Sequence, residues 1–407
     1  MNFQPILAAL RKHKIPALLI VLEIALACAV LCNAVFMIGQ RVSELHMPNA
    51  IDEQGISDIS VQGTDPELAH ADIPRDLAML RRIPGVTAAT AIDMVPLGRS
   101  SSNSNMSTTP EGAYEKDSPN AAIYMFTQGG PEALGLRLLK GRFFNDDEYA
   151  NGKPGGNLYV PGGHAVILTQ SLADRLWPDG DALGKRVWIG PNNTYTVVGI
   201  VANVLRPNQN GGGLSQFYWS AFFPISPSAV VSDYVVRSAP QDRARVVHEA
   251  TAKLQAMSPN AVFEGKTFTE IRDDFFATTR SMVWMLVLVC VVMLAVTAFG
   301  IVGLTSFWVG QRRRQIGIRR AVGATRAHIM QYFQTENFIL STAGVAVGML
   351  LAFGINLYLM QHYQLDRLPW YYLPASAIAL WLLGQLAVLG PALRAANVPP
   401  VVATRGA

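Results

Sequence analysis

Charge is scarce in this chain of 407 residues: Asp, Glu, Lys and Arg together make up 15% of it, while half of it is apolar. That balance excludes an ordinary soluble protein and is too mixed for a polytopic channel, so part of the chain lies in lipid and part in water. The net charge is only +4, and the basic residues are clustered, which reads as a topology signal rather than a nucleic-acid surface. Cysteine is nearly absent. Cys28, Cys32 and Cys290 all fall inside apolar runs and the long hydrophilic stretch has none, which excludes a disulfide framework. Cys28 and Cys32 share a helical face, but inside a membrane span they read as small apolar residues, not as a metal or redox site.

Catalytic motifs are also missing. An ATP-driven motor needs a glycine-rich phosphate loop with a Lys and a Ser or Thr at fixed spacing, and the nearest segment, Gly180 to Arg186 (GDALGKR), has the wrong spacing and no hydroxyl residue. No paired His/Glu zinc motif, nucleophile elbow or Cys/His cluster occurs, and the seven His residues are scattered. The expectation is a chain that is not an enzyme and binds no metal or cofactor itself.

What is present are four long apolar runs: Ile15 to Ile38, Met282 to Val309, Phe338 to Met360 and Tyr372 to Leu393. Each has about the length needed to cross a hydrocarbon core of roughly 30 Å at 1.5 Å per residue. The first is too long for a signal peptide and Gly39-Gln40-Arg41 follows it, so it is expected to stay uncleaved. Orientation follows from the basic residues. Arg11, Lys12 and Lys14 precede span one, and Arg312, Arg313, Arg314, Arg319, Arg320 and Arg326 lie between spans two and three, so these segments and both termini are assigned to the cytoplasm. Trp370, Tyr371 and Tyr372 then suit the outer interface. Ahead of span one, Phe3, Ile6, Leu7 and Leu10 recur at helical spacing. That pattern predicts a helix lying along the inner leaflet, with Pro16 permitting a change of direction; a frayed start to span one is the alternative.

The layout is therefore an interfacial helix over 1–14, spans over 15–40, 281–310, 333–360 and 372–393, an outward domain over 41–280, a cytoplasmic segment over 311–332, an outward loop over 361–371 and a cytoplasmic tail over 394–407. Within the outward domain, Val166 to Leu168 and Tyr195 to Val201 are β-branched runs that read as strands. Gln170 to Leu176, Arg75 to Arg82 and Pro240 to Met257 read as helices, the last with proline at its first position, giving an α+β domain. Gly98 to Asn120, Asn151 to Gly163 and Asn208 to Gly213 are rich in Ser, Asn, Pro and Gly and read as loops, either substrate-handling or plain connections. Val42 to Ser57 and Thr267 to Arg280 are the expected stalks.

Ionisable groups in the spans are few. Glu23 lies well inside span one without a second candidate at comparable depth, so interhelical hydrogen bonding is preferred over a proton relay, with Asn33, Asn356 or Gln385 as candidate partners. Glu336 sits near the cytoplasmic end of span three.

The most informative stretch is Gln311 to Thr325, QRRRQIGIRRAVGAT, in which basic and small apolar residues alternate so that a short helix keeps Ile316, Arg319, Arg320 and Gly323 toward one side. A positive-inside anchor alone would not require this order. The segment resembles the "RRREIGIRRALGA" element of the MacB/FtsX-type (type VII) ABC transporter permeases. Further elements of the resemblance are LLIVLEIALA at Leu18 to Ala27, ALGLRLLKGRF at Ala133 to Phe143, ILTQSLADRLWP, LGKRV and YTVVGIVANV within Val166 to Val204, and PALRAANVPPVVATR at Pro391 to Arg405. They cover most of the chain, with 205–260 the least distinctive.

The resemblance implies a membrane protein of four transmembrane α-helices with a large α+β periplasmic domain inserted between spans one and two, in a bacterial inner membrane. It implies an ATPase-coupling surface formed by Arg313, Gln315, Ile316, Arg319, Arg320, Gly323 and Ala324, with Gln315 in place of the usual Glu. It further implies a separate cytoplasmic ABC ATPase subunit that binds ATP and Mg, since only fourteen residues precede span one, and a second permease, identical or paralogous, as partner. The leading function is mechanotransmitting efflux of peptides, antibiotics or similar compounds through a periplasmic adaptor and outer-membrane channel. Alternatives are FtsX-like regulation of a cell-wall hydrolase and LolC/LolE-like lipoprotein extraction.

Overall fold

A computed structural model describes residues 14–65, 68–115, 117–151, 162–207, 214–226, 231–363 and 368–399. In chain order the elements are α1 (Lys14–Leu45), β1 (Ile56–Gln62), α2 (Ala69–Leu80), β2 (Val86–Ile92), β3 (Asn103–Ser107), β4 (Asn120–Phe126), α3 (Gly130–Leu134), β5 (Leu138–Gly141), α4 (Asp146–Asn151), β6 (Ala165–Thr169), α5 (Gln170–Leu176), β7 (Arg186–Ile189) and β8 (Asn193–Val201). They continue as β9 (Ser220–Pro224), β10 (Asp233–Ser238), α6 (Arg243–Met257), β11 (Val262–Thr267), α7 (Phe268–Phe275), α8 (Ala277–Gln311), α9 (Arg313–Ala321), α10 (Arg326–Tyr363) and α11 (Tyr372–Ala396). The chain divides into a helical unit, Met1–His46 with Thr279–Ala407, and a second unit, Met47–Thr278. The expected interfacial helix and the loop at 208–213 lie outside the described residues, as does most of the loop at 151–163.

In the helical unit, α1, α8, α10 and α11 are each long and apolar enough to cross a membrane. All four spans read from the sequence are present, and every helix runs past its apolar run. α10 begins at Arg326 rather than near Phe338, because hydropathy marks where a helix is greasy and not where its hydrogen bonding starts. At 38 residues it is roughly 57 Å long by its rise per residue, well beyond a hydrocarbon core. Two glycines set its packing on α1. A Cβ on Gly344 would lie 2.8 Å from Ile24 Cβ, and one on Gly348 would lie 2.5 Å from Cys28 Cβ and 2.7 Å from the Ala25 carbonyl oxygen. Further along, Asn33 Nδ2 donates to the Ala352 carbonyl at 3.3 Å. Contacts that climb both helices together make α1 and α10 parallel. α11 runs against them, since Tyr372 packs on Phe36 at one end and Ala396 accepts a hydrogen bond from Arg320 at the other.

In the second unit the strands, among the described residues, form one 11-stranded sheet in the order β11-β1-β10-β2-β4-β3-β7-β8-β6-β9, with β5 on β8. β9 also pairs with β4, which closes β4-β3-β7-β8-β6-β9 into a ring and removes its free edges. The remaining four strands, β11-β1-β10-β2, form an antiparallel extension. Its one face, with Ile59, Val61, Tyr234, Val236 and Phe263, packs under α2 through Ile73, Leu77 and Leu80 and under α6 through Val246, Ala250 and Leu254. Tyr234 inside that layer donates to Asp76 at 2.9 Å.

The α+β architecture is present, with several local corrections. β6, β8 and α5 fall where the sequence places them, but α2 spans Ala69–Leu80 rather than Arg75 to Arg82. α6 starts at Arg243, leaving Pro240 in the preceding turn. Gly98 to Asn120 is not all loop: it contains β3, whose sequence NSNMS offers no β-branched residue. Its polar side chains are held by one another and by a buried arginine. Arg206, 2% exposed, donates to the Asn120 carbonyl at 2.7 Å and to Asn103 Oδ1 at 2.8 Å, and Asn120 Nδ2 donates to Asn105 Oδ1 at 2.9 Å. Replacing Arg206 with alanine removes the guanidinium that these half-buried acceptors share, and unfolding should be easier by about 3 kcal/mol. Lysine should recover only part of this, because it lacks the fork that serves both β3 and β4; denaturant unfolding of the three proteins checks the order.

The first stalk is also shorter than expected. α1 ends at Leu45, Glu53–Gly55 is a single 3-10 turn and Ser57 already belongs to β1. On the return, a capping box of Thr267 and Glu270 starts α7, which stops at Phe275 before α8 begins at Ala277.

Candidate functional site

The sequence singles out the segment between spans two and three, and its local chemistry explains its shape. α9 has no acidic residue in its first turn and carries Arg319 and Arg320 in its last, where the carbonyl ends attract cations. Gly323 then takes φ of +103°, a left-handed conformation suited to glycine, and its N–H donates to Arg320 O while that of Ala324 donates to Arg319 O. Gly323 therefore stops the helix; nothing lies where its Cβ would be.

One face of α9 is held by its own unit. Ile316 is buried in the helical core and lines a crevice with Ile329, Tyr332 and Phe333, and Arg320 donates to the Ala396 carbonyl at the end of α11. Arg312, at the N-cap, donates to both carboxylate oxygens of Glu336 at 3.1 Å and stacks over Trp308 at 5.6 Å. The rest of the helix surface is open, with Gln315 and Arg319 at the rim of that crevice and Ile318 and Val322 turned away from it. Arg313, Gln315 and Arg319 are exposed, with Arg319 over the Tyr332 ring at 5.0 Å, and Ile318 and Val322 present apolar side chains one turn apart, Val322 being 83% exposed. Of the seven residues expected to couple, Arg313, Gln315, Arg319 and Gly323 are exposed, Arg320 and Ala324 are half-buried, and Ile316 points inward. The outward apolar residues, Ile318 and Val322, are not among those the sequence suggests: the rotation of a nine-residue helix depends on what packs behind it.

The intramembrane polar residues do not meet as expected. Asn33 bonds to Ala29 O at 2.9 Å and to Ala352 O, Asn356 Oδ1 accepts from Leu368 N at 3.0 Å, and Gln385 reaches Gln334 O at 3.5 Å. None of them serves Glu23, whose carboxylate instead lies against Gly300 of α8. Ten residues of helix separate Glu23 from Asn33, roughly 15 Å of rise, which is beyond side-chain reach. Two features of this unit escape the sequence reading. The Arg312–Glu336 pair joins residues 24 apart and has no local signature. The Gly344-xxx-Gly348 spacing does have one, as a small-residue packing motif.

In the second unit, entry and exit are tied together. Arg272 on α7 donates to Glu53 Oε1 at 2.7 Å and to the Met47 carbonyl at 3.0 Å, and lies over Phe276 at 5.3 Å. The segment that brings the chain into the domain and the one that leads it out are thus one clasp.

Sequence models of two domains match this chain: the MacB-like periplasmic core domain over residues 18–256 and the FtsX-like permease C-terminal domain over 287–400. The chain belongs to the MacB-like family of ABC transporter permeases. Among its relatives, the macrolide export ATP-binding/permease protein MacB of Chromobacterium violaceum is 26% identical over 319 residues, which are 72% of this chain and 46% of that protein. MacB of Neisseria gonorrhoeae is 24% identical over 90% of this chain and 53% of its own length, so this chain spans about half of these relatives. The uncharacterized ABC transporter permease YknZ of Bacillus subtilis is 23% identical over 74% of this chain and 73% of its own length. The periplasmic region of MacB from Actinobacillus actinomycetemcomitans superposes with a TM-score of 0.36 at 16% identity, covering 55% of this chain and 92% of that one. Family membership and four apolar helices make this an inner-membrane protein with a periplasmic domain inserted between its first two spans.

Proposed function

We propose that this permease couples ATP hydrolysis, by a cytoplasmic ABC ATPase carrying ATP and Mg, to motion of its periplasmic domain, as one of two paired permeases with both termini in the cytoplasm. The observation that carries this reading is the two-sided character of α9. Its inner face is locked to α8, α10 and α11 by Ile316, Arg320 and the neighbouring Arg312–Glu336 pair, while Arg313, Gln315 and Arg319 are exposed along its flanks and Ile318 and Val322 on the far side. A push on that exposed surface is therefore delivered to three spans at once. The clasp of Arg272 on Glu53 supports the same reading, because it holds both ends of the periplasmic domain as one piece. Export of peptides, antibiotics or similar compounds already in the periplasm, through an adaptor and an outer-membrane channel, is the cargo reading favoured by the MacB-like relatives.

The test replaces two exposed side chains of this segment with carboxylates. Arg319→Glu combined with Val322→Glu should lower export at least tenfold in reconstituted vesicles containing the co-purified ATPase, while membrane insertion and yield stay unchanged. Export at the parental level, or affinity capture that recovers no ATPase, would overturn the assignment; capture of a cell-wall hydrolase instead of an adaptor would replace efflux with regulation.

A further inference from the structure

The face of β1 opposite the domain core carries a chemistry that the coupling role does not use. Ile59 and Val61 enter the core, so alternation sends Asp58, Ser60 and Gln62 to the other side. Register adds to them: Asp58 stands opposite Lys266 on β11, while Ser60 stands between Glu264 on β11 and Asp233 on β10. A polar sheet face of this kind ordinarily meets water. Here it is roofed. Val95 to Ser100 from the segment after β2, and Ile271, Asp274 and Phe275 from α7, enclose a cavity of about 660 Å³, within the usual range of small-molecule sites of roughly 300–1,000 Å³.

Two carboxylates inside form no ion pair among the described residues. Lys266 is within 3.3 Å of Glu264 and 2.8 Å of Asp274, and Arg99 approaches Glu264 at 3.8 Å, but among the described residues no cation forms an ion pair with Asp58 or Asp233. Asp58 is 7% exposed and Asp233 6%, and Asp58 Oδ1 has no hydrogen-bond partner. A buried charge left in this condition is costly. Burial, then Asp233 and Glu264, push the Asp58 carboxyl up despite Lys266, and burial pushes Asp233 up. The roof is itself strained: Leu97 holds φ of +61°, a region L residues other than Asn and Asp seldom occupy, and it is buried there. No group of three metal-ligating side chains occurs among the described residues, so the donor set does not suit a coordinated metal as the missing counter-ion.

We propose that the cavity is a binding site for a protonated amine with an apolar body, its ammonium between Asp58 and Asp233 and its body against Val95, Leu97, Ile271 and Phe275. An ammonium supplies donors to the orphaned Asp58 oxygen, and the apolar roof side chains bury the remainder of the ligand. Occupancy requires neither an ATPase nor transport, so its failure leaves the α9 assignment untouched.

The probe is phenethylammonium, compared with the neutral phenethyl alcohol, titrated calorimetrically into the full chain in nanodiscs at pH 7.5. Saturable binding of the ammonium at least tenfold tighter than the alcohol, and lost at least tenfold in Asp58→Asn and in Asp233→Asn, is expected. Equal binding of the two probes, unchanged affinity in both variants, or no binding would overturn the site. Thermal unfolding supplies a second readout that does not depend on either variant binding. A carboxyl with a raised folded-state pKa stabilises fully below the ordinary carboxylate range, and that stability is lost as pH rises through the raised value. The unliganded chain should therefore melt lower at pH 7.5 than at mildly acidic pH through Asp58 and Asp233, together with the neighbouring Asp93, whose carboxyl burial also pushes up, and the ammonium should raise the melting temperature at pH 7.5 only. Stabilisation of equal size at both pH values would count against the site.

Discussion

Gly348→Leu is expected to prevent assembly of the helical unit. The side chain would start 2.5 Å from Cys28 Cβ and 2.7 Å from the Ala25 carbonyl oxygen, and the latter is backbone inside α1 that cannot rotate aside. The two helices must then separate along the line from Gly344 to Ala352, which breaks the Asn33 bond to Ala352 and exposes Ile24 and Cys28. Between apolar helices in lipid the attraction is largely van der Waals contact and falls steeply with distance, so a displacement of this size removes most of it. Alanine at the same position should cost about 1–3 kcal/mol as simple overpacking. Gly354→Leu on the same helix is the control, since nothing lies within 4 Å of its Cβ position. Monodisperse yield and melting temperature in detergent should fall sharply for Gly348→Leu and stay near the parent for Gly354→Leu; equal behaviour would show that α1 and α10 do not approach as described.

The contrast between those two glycines shows where the sequence is legible and where it is not. Four spans can be read because a bilayer imposes one requirement, a long apolar run, on each helix separately. Partners are a different matter. Cys28, Gly344 and Asn33 are equally visible in the sequence, yet only packing reveals that α1 and α10 climb together. The GxxxG spacing at Gly344 and Gly348 is the one usable signal for that pair. In the periplasmic domain β6 and β8 are legible because Val166 to Leu168 and Tyr195 to Val201 are rich in β-branched and aromatic residues, whereas β3 is not, because its polar side chains are held in part by Arg206, a residue roughly a hundred positions away. The same limit governs α9. Its existence and basic face can be read, but whether Ile316 or Ile318 faces outward depends on Ile329 and Phe333 in another helix. The acidic cavity is the extreme case: Asp58, Asp233 and Glu264 come from three strands and become neighbours through register alone.

Glu336→Gln should destabilise the helical unit more than truncation of Asn33, Asn356 or Gln385, none of which holds a charged partner. Glu336 is 2% exposed and holds Arg312 through two 3.1 Å bonds, so the substitution leaves a guanidinium with no counter-charge beside Trp308 and Tyr332. Breaking a buried pair on one side costs about 3–5 kcal/mol, mostly the penalty of the stranded charge rather than the worth of the pair. That distinction gives the prediction its form. Arg312→Met alone should also be harmful, because it removes both bonds from the guanidinium to the buried carboxylate, but Arg312→Met combined with Glu336→Met should recover most of the lost stability, since neither member of the pair then remains to be solvated. Melting temperatures in detergent should therefore place both single variants well below the double. If the double variant falls lower than either single, the pair is not a closed electrostatic unit and Arg312 is held by other contacts. The recovered double variant separates two further roles as well: it restores the packing behind α9 without restoring the directional link from α9 to α10, so stability regained with export still impaired is the result expected if this pair transmits the push from the ATPase face.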